Sequence, residues 1–468
     1  MIRTTWATLV VLVLITPARG EMKTERFDRD PNWLGSNNRI VPDRLRAVVQ
    51  DFGYDAARGA LGGHVTRTAK PAFYGTKIAH KTLNDKLSAA GTFAITKSGS
   101  GSGIFFGWFN ANLPEASGRP PSSLGIEIDC ENSGGRMAIR AHSVNNLSAG
   151  KFVTKYDRYR TKEEQRVMRP TPIKNDGTRY AWTLDYDPDA AGGNGQVRFT
   201  IKSESATPAD FEGKPVSFDL PDGFKEAGAS FDHFGLINGT KPGGSMTVHF
   251  DDLRFDGAGE DFGKDPGWVE SGNRAKYEDK TQVGGHDFGF SETTKHAGGE
   301  APGELGGDLW RSGKFASYAD AVGPLSADDR LEARGRVVLR VGAPDSDVFF
   351  GWFNSASPDE SGPLLGVHIG GPTRVGHYFR PRNAEKGPVL TPGKSYVFSI
   401  VYDPAANNGH GAITATLGDE SVTHPLKPGQ KPKDASFDRF GLFNGTAGGQ
   451  IVRIYFDDLS YTSSRGAP

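Results

Sequence analysis

The chain has 468 residues, enough for two or three domains, and 55 basic side chains stand against 56 acidic ones. That balance excludes a global attraction to nucleic acid or to an anionic membrane surface. The 62 glycines and 29 prolines exclude long regular helices, and the single cysteine, Cys130, excludes an internal disulfide, so packed cores must hold the fold.

In chain order, residues 1–20 read as a signal peptide. Arg3 supplies the positive end, Trp6 to Ile15 the apolar stretch, and Ala18-Arg19-Gly20 a cleavage site near Gly20. A secreted or periplasmic, extracellular protein is the expectation. The apolar run falls short of the roughly 20 residues that a membrane helix needs, and no later segment approaches it, so no membrane insertion is expected.

The remainder is written twice. DPNW (30–33) returns as DPGW (265–268), GALGGHVTRT (59–68) as GELGGDLWRS (303–312), and IFFGWFN (104–110) as VFFGWFN (348–354). YDPDAAGGNG (186–195) returns as YDPAANNGHG (402–411), and FDHFGLINGTKPGGSMTVHFDDLRF (231–255) as FDRFGLFNGTAGGQIVRIYFDDLSY (437–461). Units of this size exceed solenoid repeats, so the reading is two self-sufficient domains, 21–257 and 258–468. Short alternating runs between turn clusters such as Asn194-Gly195 and Lys241-Pro242-Gly243-Gly244 predict an all-β pair of antiparallel sandwiches. The Asn-Gly-Thr triplets at 238 and 444 fit a glycosylation signal, but their recurrence in both copies favours turn chemistry.

IFFGWFN is apolar on both faces, with Phe105, Gly107 and Phe109 on one and Ile104, Phe106 and Trp108 on the other. One face enters a core; the other can floor a groove, with Phe106 and Trp108 as rings for a sugar. GIEIDCE (125–131) then alternates Ile126, Ile128 and Cys130 with Glu127, Asp129 and Glu131. Cys130 reads as a small buried hydrophobe rather than a nucleophile. The three carboxylates suit either glycoside hydrolysis or the solvated face of a strand. In the second copy LGVHIGGP (365–372) puts His368, Gly370 and Pro372 in their places, so the fold does not require them.

The spacing from Glu127 to Trp182 is 55 residues, whereas from His368 to Phe398 it is 30, so the first copy carries an insertion. Eleven Lys/Arg stand there against four Asp/Glu between Arg136 and Arg179, with Arg140, Tyr156 and Arg158 as candidate ligands for an anionic polysaccharide. In the second copy His368, Arg374 and Tyr378 form a corresponding candidate patch. No His/Cys cluster has zinc spacing, and no cofactor is implied. The FDDL acids Asp251 and Asp252, or Asp457 and Asp458, suit either a structural calcium or plain solvent exposure.

IFFGWFN, EIDCE, RYAWTLDYDPDAAGGNGQVRFTI (179–201) and TVHFDDLRF, in that order, resemble the concanavalin A-like lectins and glucanases. The resemblance implies a tandem of jelly rolls that handles glycans. EIDCE also resembles the E-x-D-x-E signature of glycoside hydrolase family 16, which would make Glu127 the nucleophile, Asp129 its orienting acid and Glu131 the acid/base. An Ile intervenes after Gly125 where that family has Gly directly before the first Glu. The Arg/His/Tyr set of the second copy faintly resembles jelly-roll alginate lyases, without the Gln of their Q-I-H. Taken together, the residues favour an exported glycan-binding protein for an acidic polysaccharide. A retaining endo-glycoside hydrolase and a surface or matrix protein-interaction module stay open as alternatives.

Overall fold

Period-two alternation makes the strands. In Arg179–Asp187 every second side chain, from Tyr180 through Trp182 and Leu184 to Tyr186, is buried while the intervening ones face solvent. The structure, a computed structural model, describes residues 20–40, 45–144, 147–154, 172–205, 211–279, 284–343, 345–357, 362, 364–371, 376–431 and 435–464. The expected pair of antiparallel jelly-roll sandwiches is what these residues form.

In the first sandwich one sheet runs Val216–Asp219, Gln196–Ser203, Arg179–Asp187, Leu87–Ser98, Ser245–Phe255, Ala60–Thr66, Arg46–Asp55, Arg274–Asp279. The facing sheet runs Ser148–Phe152, Gly134–His142, Ser123–Glu131, Ser102–Phe109, Ser230–Asn238, Phe73–Thr82, Val269–Ser271. The second sandwich repeats the order. One of its sheets runs Glu420–Pro425, Ala412–Leu417, Ser395–Asp403, Leu331–Gly342, Ile451–Ser463, Glu304–Trp310, Asp287–Ser291. The other runs Val389–Leu390, His377–Pro381, Leu364–Gly370, Asp347–Phe353, Ser436–Asn444, Ser317–Ser326, Leu34–Ser36.

The cores correspond ring for ring. Phe106 stacks on Phe250 across the two sheets at 4.0 Å, and Phe350 stacks on Phe456 at 4.1 Å. Gly107, at φ 152°, faces Gly125 across the strand pair, where a Cβ would run into the Leu124 carbonyl; Gly351 and Gly366 repeat this close approach. Asn238 and Asn444 are fully buried and serve as backbone staples. Their Oδ1 atoms accept from Ala72 N at 2.9 Å and Ala316 N at 2.8 Å, which supports turn chemistry over glycosylation.

Sheet membership does not divide at the seam expected between 257 and 258. Glu21–Glu25 and Leu34–Ser36 pair into the second sandwich, while Ala258–Glu260, Val269–Ser271 and Arg274–Asp279 pair into the first. The turn at Asp256-Gly257 folds Ala258–Glu260 back onto the strand it follows, with Glu260 opposite Leu253. On the second sandwich the equivalent register, Glu25 opposite Leu459, is filled from the other end of the chain. No helix among the described residues is long and apolar enough to cross a membrane. The signal-peptide reading concerns residues 1–19, which lie outside the described ones, and Gly20.

Candidate functional site

Alternation along Ser123–Glu131 sends Ile126, Ile128 and Cys130 into the core and Glu127 and Asp129 to the opposite face. Small residues stand across from the acids on both neighbouring strands: Ala138 pairs with Glu127, and Gly103 with Asp129. This leaves room for Arg136 and Arg140, which lean in from Gly134–His142. Arg140 Nε lies 3.1 Å from Glu127 Oε2, His142 Nε2 2.9 Å from Glu127 Oε1, and Arg136 Nη2 3.1 Å from Asp129 Oδ2. The edge strand Ser148–Phe152 sets the Phe152 ring beneath both guanidinium groups, at 5.3 Å from Arg136 and 5.0 Å from Arg140.

Loops complete a cavity of about 280 Å³ above this face. Its cationic lining is Arg67, Arg119, Arg136, Arg140 and Lys241, against the carboxylates of Glu127, Asp129 and Asp345, with Phe105 and Phe152 as ring surface. Asp345 belongs to the second sandwich. The loop that carries Arg119 is fixed by Ala116 N donating to Ala69 O at 2.7 Å. Ala69 and Ala116 are packed with Trp310, Val341, Ala343 and Ile451 of the second sandwich. Both halves of the chain therefore shape the cavity.

Cations hold Glu127 ionised. Burial alone would push the Glu127 carboxyl up, but the hydrogen bond from His142 and the charges of Arg119, His142 and Arg140 outweigh it and hold the group well below the usual carboxylate range. Glu131 does not line the cavity; its carboxylate takes a hydrogen bond from the Ser100 hydroxyl. Burial pushes the Cys130 thiol up to about 12, which makes it inert at neutral pH.

Lys241 differs from its neighbours. Among the described residues it makes no hydrogen bond or ion pair, and burial, followed by the charge of Arg67, pushes its ammonium down to about 8. Arg67 is itself placed 3.4 Å from Asp129, and Arg119 3.7 Å from Glu127.

Of the residues singled out from sequence, Glu127, Asp129 and Arg140 come together in this cavity. Phe106 and Trp108 do not: both are fully buried in the core between the sheets, and it is Phe105 that faces the cavity. A strand apolar on both faces carries no sign of which face is which. Tyr156, Arg158 and Arg374 lie outside the described residues. His368 stacks on Phe349 at 4.6 Å, with Nε2 3.4 Å from Asp347 and Nδ1 3.1 Å from Arg380. A guanidinium only donates, so Nδ1 accepts from Arg380, while Nε2 is buried without a hydrogen-bond partner among the described residues. Tyr378 is 7% exposed. The FDDL acids meet cations, Asp252 with Arg179 and Asp458 with Arg336. Among the described residues no group of three or more His, Cys, Asp or Glu could hold a metal ion.

Arg67, Arg119, Lys241 and Asp345 escaped the sequence reading because they reach the site from loops. One signal was available: Arg67 has a counterpart, Arg311, in the repeated GALGGHVTRT/GELGGDLWRS unit. Arg67 pairs with Asp129, and Arg311 lies 3.2 Å from Asp347. The carboxylate has changed places within one cross-strand pair, Gly103 with Asp129 in the first copy and Asp347 with Gly370 in the second.

No protein-family model matches the chain, and no curated protein matches it. Among solved structures it is similar to mouse laminin alpha1 chain domains LG4-5, at 11% identity over 91% of this chain and 98% of that one, with a TM-score of 0.26. It is also similar to the Lotus tetragonolobus seed lectin, at 12% identity over 39% of this chain and 94% of that one, with a TM-score of 0.26. A third is the alginate lyase AlyC3 in complex with dimannuronate, at 15% identity over 46% of this chain and 79% of that one, with a TM-score of 0.25. Likeness of this degree bears on neither site nor activity.

Proposed function

We propose that this is an exported glycan-binding protein and that the cavity over Glu127 and Asp129 takes an acidic saccharide. The observation that carries this reading is Lys241. It faces the cavity between Arg67 and Arg119 without a hydrogen bond or ion pair among the described residues, whereas Glu127 and Asp129 already have cationic partners. Asp129 and Asp345 act on Lys241 from across the cavity, but the five lining cations outnumber the three carboxylates; a sulfate or uronate would supply further counter-charge, and the half-buried Phe152 ring at the edge strand offers an apolar face to a pyranose. The leader-like residues 1–20 support action outside the cytoplasm. Glu127 and Asp129 then serve to orient the arginines rather than to cut a glycosidic bond.

Calorimetry of the full chain against sulfated, uronic and neutral oligosaccharides at two salt concentrations tests this. The acidic ligands should bind, and more weakly as salt rises, because surface ion pairs are screened over a Debye length of about 8 Å at physiological ionic strength. Preference for the neutral ligand, or affinity indifferent to salt, would overturn the reading.

A further inference from the structure

The segments that change sandwiches carry one pattern. FDRDPNWLGSNNR (27–39) and FGKDPGWVESGNR (262–274) share Phe, Asp, Pro, Trp, Ser, Asn and Arg at the same positions. The first docks on the second sandwich and the second on the first, and the contacts repeat. Trp33 stacks on Tyr318 at 5.9 Å and Trp268 on Tyr74 at 5.8 Å; Phe27 and Phe262 close the edges of these tryptophans at 5.4 and 5.6 Å. Asn38 Nδ2 donates to Phe288 O at 2.6 Å and Asn273 Nδ2 to Phe52 O at 2.7 Å. Arg39 Nη2 donates to Phe290 O at 2.9 Å and Arg274 Nη2 to Tyr54 O at 2.8 Å, while the same guanidinium groups pair with Asp287 and Asp51.

The backbone repeats as well. Asp30 and Asp265 each accept a hydrogen bond from the amide two residues on, at 2.8 and 2.9 Å, and that residue has a positive φ in both, Asn32 at 54° and Gly267 at 66°. On the receiving side Tyr318 matches Tyr74, Phe288 matches Phe52 and Asp287 matches Asp51. Tyr461 and Phe255 present their edges to the tryptophans at 5.9 and 6.1 Å.

We infer that each sandwich carries a binding groove for an extended peptide of the form F-x-x-D-P-x-W-x-x-S-x-N-R, and that the groove reads this pattern irrespective of which copy supplies it. Affinity comes from strand addition at the sheet edge, and selectivity from the tryptophan pocket and the asparagine and arginine contacts. The partner that fits is a segment of this chain type. Of the unshared positions, Leu34 and Val269 are exposed, whereas Asn37 Nδ2 donates to Phe315 O at 2.9 Å, a contact that Gly272 in the other copy has no side chain to make.

The test exchanges the segments within the full chain. Residues 27–39 are given the 262–274 sequence, which makes Asp28→Gly, Arg29→Lys, Asn32→Gly, Leu34→Val, Gly35→Glu and Asn37→Gly; the reciprocal exchange is made at 262–274. A Cβ at Gly35 would press on Asn38 and Asn37 donates to Phe315 O, so a second version of the first variant keeps Gly35 and Asn37, and the reciprocal exchange keeps Gly272, where a Cβ would lie 3.0 Å from Pro71 O; this separates local effects from loss of recognition. Calorimetric unfolding should place the exchanged chains within about 3 °C of wild type, whereas Trp33→Ala should lower the midpoint of the second sandwich by roughly 10 °C. If the version that keeps Gly35, or the reciprocal exchange, falls as far as the corresponding tryptophan-to-alanine variant, the grooves are specific to their own segments and the inference fails.

Discussion

Lys23 Nζ lies 2.8 Å from Asp320 Oδ2, joining the first described strand of the chain to a strand 297 residues later. Asp320 also accepts from the Tyr461 hydroxyl at 2.7 Å, so one partly buried carboxylate ties Glu21–Glu25 to both sheets of the second sandwich. Lys23→Met should destabilise the second sandwich by about 1–3 kcal/mol, since it strips a cation from an acid with little access to water. A double-mutant cycle with Asp320→Asn should show coupling of about 1–3 kcal/mol. Additive effects in that cycle would mean that the N-terminal strand is held by its backbone alone.

Glu127→Gln separates an architectural carboxylate from a catalytic one. Arg140 is nearly inaccessible beside it, so the neutral variant should lose about 2–4 kcal/mol at pH 7. The wild-type Glu127 pKa is depressed, so its stabilisation is complete above the ordinary value of 4.5 and is lost as the pH falls below it. Chemical denaturation from pH 7 down to 3 should accordingly show a shallower acid limb in the variant. An unchanged midpoint at pH 7 would return Glu127 to the list of functional rather than structural acids.

Asp457 behaves in the opposite sense. Burial, with Asp458 and Glu304 adding repulsion, pushes its carboxyl up to about 7. A raised carboxylate is fully compatible with the fold below its unfolded value of 3.8, and stability declines as the pH rises from there toward 7. Asp457→Asn should therefore stabilise the second sandwich at pH 8 and flatten its profile between pH 4 and 7. Equal midpoints for the two proteins at pH 8 would rule this out.

The strands, the two copies and their correspondence were legible because alternation and turn residues are local and because the sequence repeats. Which face of FFGWF meets the cavity was not, since Phe105 and Phe106 are chemically alike and only the facing sheet decides between them. The acids of EIDCE were visible, but their meaning depended on partners from elsewhere, Arg67 and Arg119 from loops and Arg140 and His142 from the next strand. The exchange of the DP-x-W segments was hidden for a different reason. The pattern marks each segment as part of a repeat, and both grooves are built to fit it, so only chain connectivity assigns Trp33 to Tyr318 and Trp268 to Tyr74.

Lys241 gives the glycan-binding proposal its own pH signature. Its ammonium, pushed down to about 8, is charged at neutral pH and loses the proton at a pH where the surrounding arginines keep theirs. A bound sulfate or carboxylate favours the charged form, so affinity should be highest below pH 8 and fall by up to about tenfold for each unit above it. Lys241→Met should lower affinity for a sulfated oligosaccharide by roughly tenfold or more at pH 7 and remove the dependence above pH 8, because a charged hydrogen bond contributes about 1.5–3 kcal/mol. Lys241→Arg should keep much of the affinity while also losing the dependence, since a guanidinium does not titrate in this range. Calorimetric titrations at pH 7, 8 and 9 compare the three proteins. Wild-type affinity that is level across this series, or a Met variant that binds as tightly as wild type, would show that the anion is held elsewhere.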